Sequence, residues 1–243
     1  MSSVTVITSG KGGVGKSTVS VGVAKALADR GRKVLLIDCD SGLRSLDRLT
    51  GTDKELVYDI SDVLSGRCAP IKAIYKCEVS DNLFMMPAAA DVSYVVNKNS
   101  FSKLVSLVKQ YFDAVFLDCP AGVGHGFRVA CSSADRALVV CNPEPVCLRN
   151  TAKVNALLND MGITKQRLII NRFKSTAFDA INGFKDLDSV IDEAGIRLIG
   201  VVPEDYDFIN SLINNVKNDG TEGFKACSRI AARLEGVDVP LKI

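Results

Sequence analysis

The chain has 243 residues, 47% hydrophobic and 24% charged, the balance of an ordinary globular protein with a sizeable core. A formal net charge of +2 gives nucleic-acid binding no support from overall charge, and no apolar run approaches the ~20 residues needed to span a bilayer. Eight cysteines fall singly with no C-x-x-C pair, which argues against zinc and dithiol motifs and for reduced, buried thiols in the cytoplasm. Met1 leads almost directly into the first strand, so no export signal is expected.

In chain order, Val4–Ile7 reads as a strand and Ser17–Arg30 as a helix, with Gly10-Lys11-Gly12-Gly13-Val14-Gly15-Lys16-Ser17 between them. That stretch satisfies the phosphate-loop pattern G-x-x-x-x-G-K-[ST]. Glycines let successive N–H groups converge on phosphate oxygens, and the helix start supplies further unpaired N–H groups. Lys16 adds a point charge for the β and γ phosphates, and the Ser17 hydroxyl can ligate Mg²⁺. Gly10 through Ser17, with Thr18, are therefore the expected nucleotide contacts.

Lys33–Asp38 reads as a buried parallel strand ending in a carboxylate. In open α/β sheets the ligand sits beyond the strands' carboxyl ends, which places Asp38 and Asp40 beside the phosphates as a magnesium and water site. Ser41–Leu56 reads as a polar loop, Tyr58–Leu64 as a short helix, and Leu83–Pro87 as a strand. The spacing of Phe101, Leu104, Val105, Leu107, Val108 and Tyr111 predicts an amphipathic helix over 100–112. It feeds into Ala114–Asp118, a strand whose terminal Asp118 has the Walker B arrangement for holding Mg²⁺ directly or through water.

Cys119–Gly124 is a second glycine-rich turn suited to sensing the γ-phosphate, and His125, the single histidine, reads as a surface or turn residue. Strands at 136–141, 166–171 and 196–202 alternate with helices at 148–161 and 186–194, and a last helix covers 222–235. Asn171 ends one strand, where its amide could meet an adenine edge, and Pro203-Glu204-Asp205 ends another. No linker or composition shift divides the chain. The expectation is one doubly wound, mostly parallel α/β domain over 1–243.

Lys-Gly-Gly-Val-Gly-Lys-Ser at 11–17, Leu-Ile-Asp-Cys-Asp-Ser-Gly-Leu-Arg at 36–44 and Asp-Cys-Pro-Ala-Gly at 118–122 carry a recognisable pattern. The chain resembles the deviant Walker A ATPases and, within them, the septum-site-determining MinD family. Asn142-Pro143-Glu144, Asn171-Arg172 and Val202-Pro203-Glu204-Asp205 extend the resemblance, which runs from residue 3 to about 241.

The resemblance implies an Mg²⁺-dependent ATP hydrolase, cycling between ATP and ADP, that forms a homodimer on ATP binding and recruits a division inhibitor or answers to an ATPase activator. Lys11 would cross to the partner's phosphates. Asp38 would orient the attacking water, and Ser17, Asp40 and Asp118 would hold magnesium. Asn171, Arg172, Pro203, Glu204 and Asp205 would contact the base.

Three departures stand out. Leu43-Arg44-Ser45-Leu46-Asp47 has Ser45 where the family has an asparagine, and 148–153 lacks the family's acidic partner-binding residues. Family members also generally continue into a basic amphipathic helix on the membrane surface, which the residues up to Ile243 do not include. A cytoplasmic protein is expected, and two alternatives stay open: a peripheral place at the inner face of the cell membrane, or work without direct lipid binding.

Other readings share these motifs. A flagellar-number regulator of the FlhG type has nearly all of them. A partition ATPase of the ParA/Soj type would need a basic DNA-binding surface, which the near-neutral charge disfavours. A redox protein like the nitrogenase iron protein would use paired cysteines, and Cys119 and Cys131 stand in the wrong motif contexts for it.

Overall fold

Runs of β-branched and aliphatic residues bounded by turns become the strands of one sheet in the computed structural model, which describes residues 2–41, 44–54, 56–174, 187–216 and 219–242. The strands are β1 (Ser3–Thr8), β2 (Val34–Asp38), β3 (Tyr75–Lys76), β4 (Leu83–Met86), β5 (Ala114–Asp118), β6 (Arg136–Cys141), β7 (Gln166–Phe173) and β8 (Leu198–Pro203). Their order across the sheet is β3-β4-β2-β5-β1-β6-β7-β8. All neighbours pair in parallel except β3, an antiparallel edge strand on β4.

β2 and β5 are buried along their whole length, and β1 along all but its first residue. Burial on both faces explains why these segments read as continuous apolar runs without alternation. The helices are α1 (Lys16–Asp29), α2 (Ser45–Thr50), α3 (Ile60–Leu64), α4 (Lys98–Val108), α5 (His125–Cys131), α6 (Pro145–Asp160), α7 (Leu187–Ala194), α8 (Tyr206–Ile213) and α9 (Glu222–Leu234).

α1 packs between the sheet and α9, which is why its buried residues surround the axis instead of forming a stripe. The contact is close at Gly22, where an added Cβ would lie 2.7 Å from both Cys227 Sγ and Phe208 Cζ. α4, α5, α6 and α7 pack on the other side; Gln166 Nε2 on β7, for instance, donates to Asn159 Oδ1 of α6 at 2.8 Å.

Several expectations change. β7 runs on to Phe173, so Asn171 lies within the strand and not at its end, and β8 starts at Leu198, not at 196. The predicted loop 41–56 contains α2, which forms because Leu46 plugs into the core at 0% exposure and Thr50 Oγ1 donates to Leu46 O at 2.8 Å. The helix over 100–112 runs instead from Lys98 to Val108, started by Asn97 capping the N–H groups of Asn99 and Ser100, and Leu107 and Tyr111 point outward. α6 begins at Pro145, three residues earlier than predicted, because proline fits the first turn. The predicted residue 186 lies outside the described residues.

Candidate functional site

β1 is central, its α1 crossover leads to β2 on one side, and β6 lies on the other. The phosphate loop thus sits at the switch point of the sheet, where α/β folds open a crevice. Gly13 and Gly15 take φ of +76° and +87°, conformations that the loop requires and that side chains resist. Gly15 is the N-cap of α1 and supplies no capping side chain, nor is any acidic residue present in the first turn. The helix N-terminus therefore presents unspent N–H groups and the positive end of its dipole to an anion.

Other elements brace the loop. Ser9 Oγ donates to Lys11 O at 2.9 Å, and Asn171 Nδ2, from β7, donates to Val14 O at 2.7 Å. Asn150 on α6 lies against Gly10, and Ala121 of the 119–124 turn lies beside Gly12, so that turn does stand next to the loop. The amide nitrogen of Asn171, the expected adenine contact, is engaged on the loop backbone.

The carboxylates gather at the ends of β2 and β5. Asp38 and Asp118 are paired neighbours in the parallel register, each 1% exposed. Ser17 Oγ donates to Asp118 Oδ2 and Ser20 Oγ to Asp118 Oδ1, both at 2.7 Å. Ser45 Oγ in turn donates to Ser17 Oγ at 3.1 Å, which ties α2 to the loop through the residue where the family pattern departs.

Burial, with the neighbouring charge of Asp118, pushes the Asp38 carboxyl up to about 8, although Asp40 N donates to Asp38 Oδ1 at 2.9 Å. Burial also raises Asp118, opposed by Lys16 and by the two serine hydroxyls. Asp40 is raised by burial and lowered by Lys16. Lys16, 9% exposed, is the cation common to both carboxylates.

Ser17, Asp40 and Asp118 could supply oxygen donors of the kind that suits a hard divalent cation such as Mg²⁺. Two buried, adjacent carboxylates whose ionisation is suppressed fit a group that brings positive charge. Among the described residues no three His, Cys, Asp or Glu side chains converge into a metal cage of their own.

Lys11 lies across the mouth of the site, its Nζ 2.8 Å from Glu144 Oε2 of the same chain, and this hydrogen bond raises its pKa. Arg44 and Arg172 both take positive φ, 41° and 55°. For side-chain-bearing residues such conformations cost on the order of 1–3 kcal/mol and cluster at functional loops. Thr18 follows Ser17 in the first turn of α1.

Beyond Pro203, at the end of β8, the candidate base contacts are already committed within the fold. Glu204 pairs with Lys174, and the two carboxylate oxygens of Asp205 accept from Phe208 N and Gly223 N, capping α8 and bracing the start of α9. His125 opens α5 and its Nε2 bonds Val96 O. All eight cysteines are free, six of them buried.

The reading from sequence missed Ser20, Glu144 and Asn150. Ser20 had a signal, standing one helical turn after Ser17 on the same face. Glu144 and Asn150 reach the loop only through tertiary packing.

A family model described as an AAA domain matches residues 2–172. A septum site-determining protein MinD from Synechocystis is 38% identical over 99% of this chain and 92% of its own length. Among solved structures, the MinC:MinD cell division protein complex of Aquifex aeolicus superposes with a TM-score of 0.90 and 37% identity, covering 99% of both chains. MinD from Pyrococcus horikoshii, solved with Mg-ADP, gives 0.85 and 28% over 97% of this chain and 96% of that one.

Proposed function

We infer the function from one premise: the chain belongs to the septum site-determining MinD family of P-loop ATPases. On that premise it is a nucleotide-dependent switch that positions the division site and takes a division inhibitor as protein partner, with ATP or ADP and Mg²⁺ as ligands. The observation that carries the reading is the hydrogen-bonded chain Ser45–Ser17–Asp118–Ser20 lying under a glycine-rich loop that opens a helix.

The loop amides and Lys16 would bind the phosphates. Ser17, Asp40 and Asp118 would hold the magnesium ion, which neutralises phosphate charge when bound. Asp38, buried beside Asp118, would in its ionised form orient the attacking water and accept its proton at a carboxylate oxygen. Gly10, Lys11, Gly12, Gly13, Val14, Gly15 and Thr18 complete the cradle. Arg172, with Asn171 bracing the loop, and the backbone of the Pro203–Asp205 turn, whose Glu204 and Asp205 carboxylates are held within the fold, would line the base.

Lys11 is the switch element. A second copy of the chain, docked face to face over the nucleotides, would offer it phosphate oxygens in place of Glu144. A cation supplied in trans stabilises transition-state charge as an arginine finger does, so turnover would need the dimer. The whole chain would work as one unit. Among the described residues no helix is long and apolar enough to cross a membrane, and we place the protein in the cytoplasm, peripheral at the membrane when recruited.

Light scattering and ATP turnover on two variants test this. Lys11→Ala should keep ATP binding and lose dimerisation and hydrolysis, whereas Lys16→Ala should weaken binding itself. Wild-type turnover by monomeric Lys11→Ala protein would sink the trans-lysine mechanism.

A further inference from the structure

At the end of the sheet opposite the phosphate loop, a cleft of about 360 Å³ lies between the starts of β6 and β7 and the last turn of α9. Ala137, Leu138, Ile199 and Leu234 give it an apolar lining, and four cations share it: Arg136, Lys165, Arg167 and Arg233. The register of β6 on β7, Ala137 opposite Gln166, sets Arg136 and Lys165 side by side at the strand starts.

None of the four has a carboxylate within ion-pair distance among the described residues. Their hydrogen bonds go to neutral acceptors. Arg136 donates from Nε to Thr5 Oγ1 at 2.7 Å, from Nη2 to Ser3 Oγ at 3.2 Å and from Nη1 to Leu234 O at 3.4 Å. Arg233 donates from Nη1 to Ile199 O at 2.6 Å, and from Nε and Nη2 to Val239 O at 3.1 and 3.0 Å. Arg167 Nη1 donates to Gln166 O at 2.8 Å.

Such partners orient a guanidinium without neutralising it, and each of Arg136 and Arg233 keeps N–H donors to spare. The nearby acids are engaged elsewhere: Asp135 Oδ2 accepts from Val4 N at 2.8 Å and faces Lys109, and Glu235 holds Arg30 and Arg32. Asp238 contributes a weaker attraction to Arg233. Arginine keeps its proton even when half-buried, and the attraction of Asp135 for Arg136 and of Asp238 for Arg233 acts without an ion-pair contact, so the cleft holds positive charge that is only partly compensated, in partly dehydrated surroundings.

We propose that this cleft is a second anion site, one that takes a phosphate group, with Arg136 and Arg233 half-buried within it and Lys165 and Arg167 exposed at its mouth. Guanidinium forks match phosphate geometry in pairs, and the number of cations suits a multiply charged anion better than a single carboxylate. The volume fits a small phosphorylated molecule or a lipid headgroup. Those two sources share the chemistry the site would read.

The test uses the full chain with its phosphate loop saturated by Mg-ADP, so that only a second site can respond. Inorganic pyrophosphate is titrated calorimetrically against a sodium chloride control of matched ionic strength. In parallel, co-sedimentation compares phosphatidylglycerol with phosphatidylcholine vesicles. The variant Lys165→Gln/Arg167→Gln changes two exposed side chains and leaves the core alone.

Wild-type protein should bind one pyrophosphate per chain, and the variant should bind it roughly tenfold or more weakly with ADP affinity unchanged. Variant-sensitive binding to phosphatidylglycerol vesicles alone would identify the phosphate as a headgroup and uphold the site. Two results would overturn the proposal: no response in either arm, or a response the variant leaves intact.

Discussion

Ser20→Ala removes one oxygen from a fully buried place. Ser20 is 0% exposed, its Oγ lies 2.7 Å from Asp118 Oδ1, and the carboxylate it serves is 1% exposed. Alanine fills nearly the same space, so cavity formation contributes little; the cost is a charge-assisted hydrogen bond left unmade inside the protein. Such bonds contribute about 1.5–3 kcal/mol, and for a chain of this length each kcal/mol moves Tm by roughly 2–4 °C.

Because the serine bonds the ionised form of Asp118, its contribution should be full at alkaline pH and shrink as acid protonates the carboxyl. Urea denaturation of the ligand-free protein across pH, with Asp118→Asn as the other corner of a double-mutant cycle, measures this. The coupling should fall to a neutral hydrogen bond, about 0.5–1.5 kcal/mol, in the Asn background. A loss below ~0.5 kcal/mol in the wild-type background, or one indifferent to pH, would refute the reasoning.

Gly15→Ala should abolish nucleotide binding measured by fluorescent-ADP titration, because φ is +87° and the new Cβ would lie 2.3 Å from Asn171 Nδ2. Gly22→Ala should destabilise by about 1–3 kcal/mol in chemical denaturation, since overpacking against Cys227 and Phe208 exceeds the gain of ~0.5–1 kcal/mol in helix propensity. Asp38 titrates near 8 in the fold against 3.8 in an open chain, so the folded state holds a proton that the unfolded state releases between those values. The ligand-free protein should therefore lose stability as pH rises through that window, by up to a few kcal/mol, and Asp38→Asn should flatten the slope. Identical pH profiles of Tm for the two proteins would contradict the assignment.

The parallel strands were legible because burial on both faces writes itself as unbroken apolar runs, as in Val34–Asp38 and Ala114–Asp118. The phosphate loop was legible because its chemistry demands glycine and lysine at fixed spacing. α2 was not, since a helix held by one plug, Leu46, leaves no periodicity. β3, two residues long, is defined by its partner β4 and not by its own composition.

α8 was hidden for a different reason. Its cap, Asp205, drew a ligand-contact reading from its place at a strand end, although Phe208 and Leu212 show helical spacing. Within the site, strand-end carboxylates could be named one by one. That Asp38 and Asp118 share a register, or that Lys11 meets Glu144, depends on strand order and on α6 returning over the loop.

The adjacency of Asp38 and Asp118 makes loading of the site an exchange. In the absence of a cation, burial and the neighbouring charge of Asp118 keep a proton on Asp38. A divalent ion held there with the nucleotide would supply the positive charge in that proton's place. Loading would then release acid, and unloading would take it up again. Protons would thus enter the nucleotide cycle as a reactant, with alkaline surroundings favouring the loaded form and acidic ones the empty form.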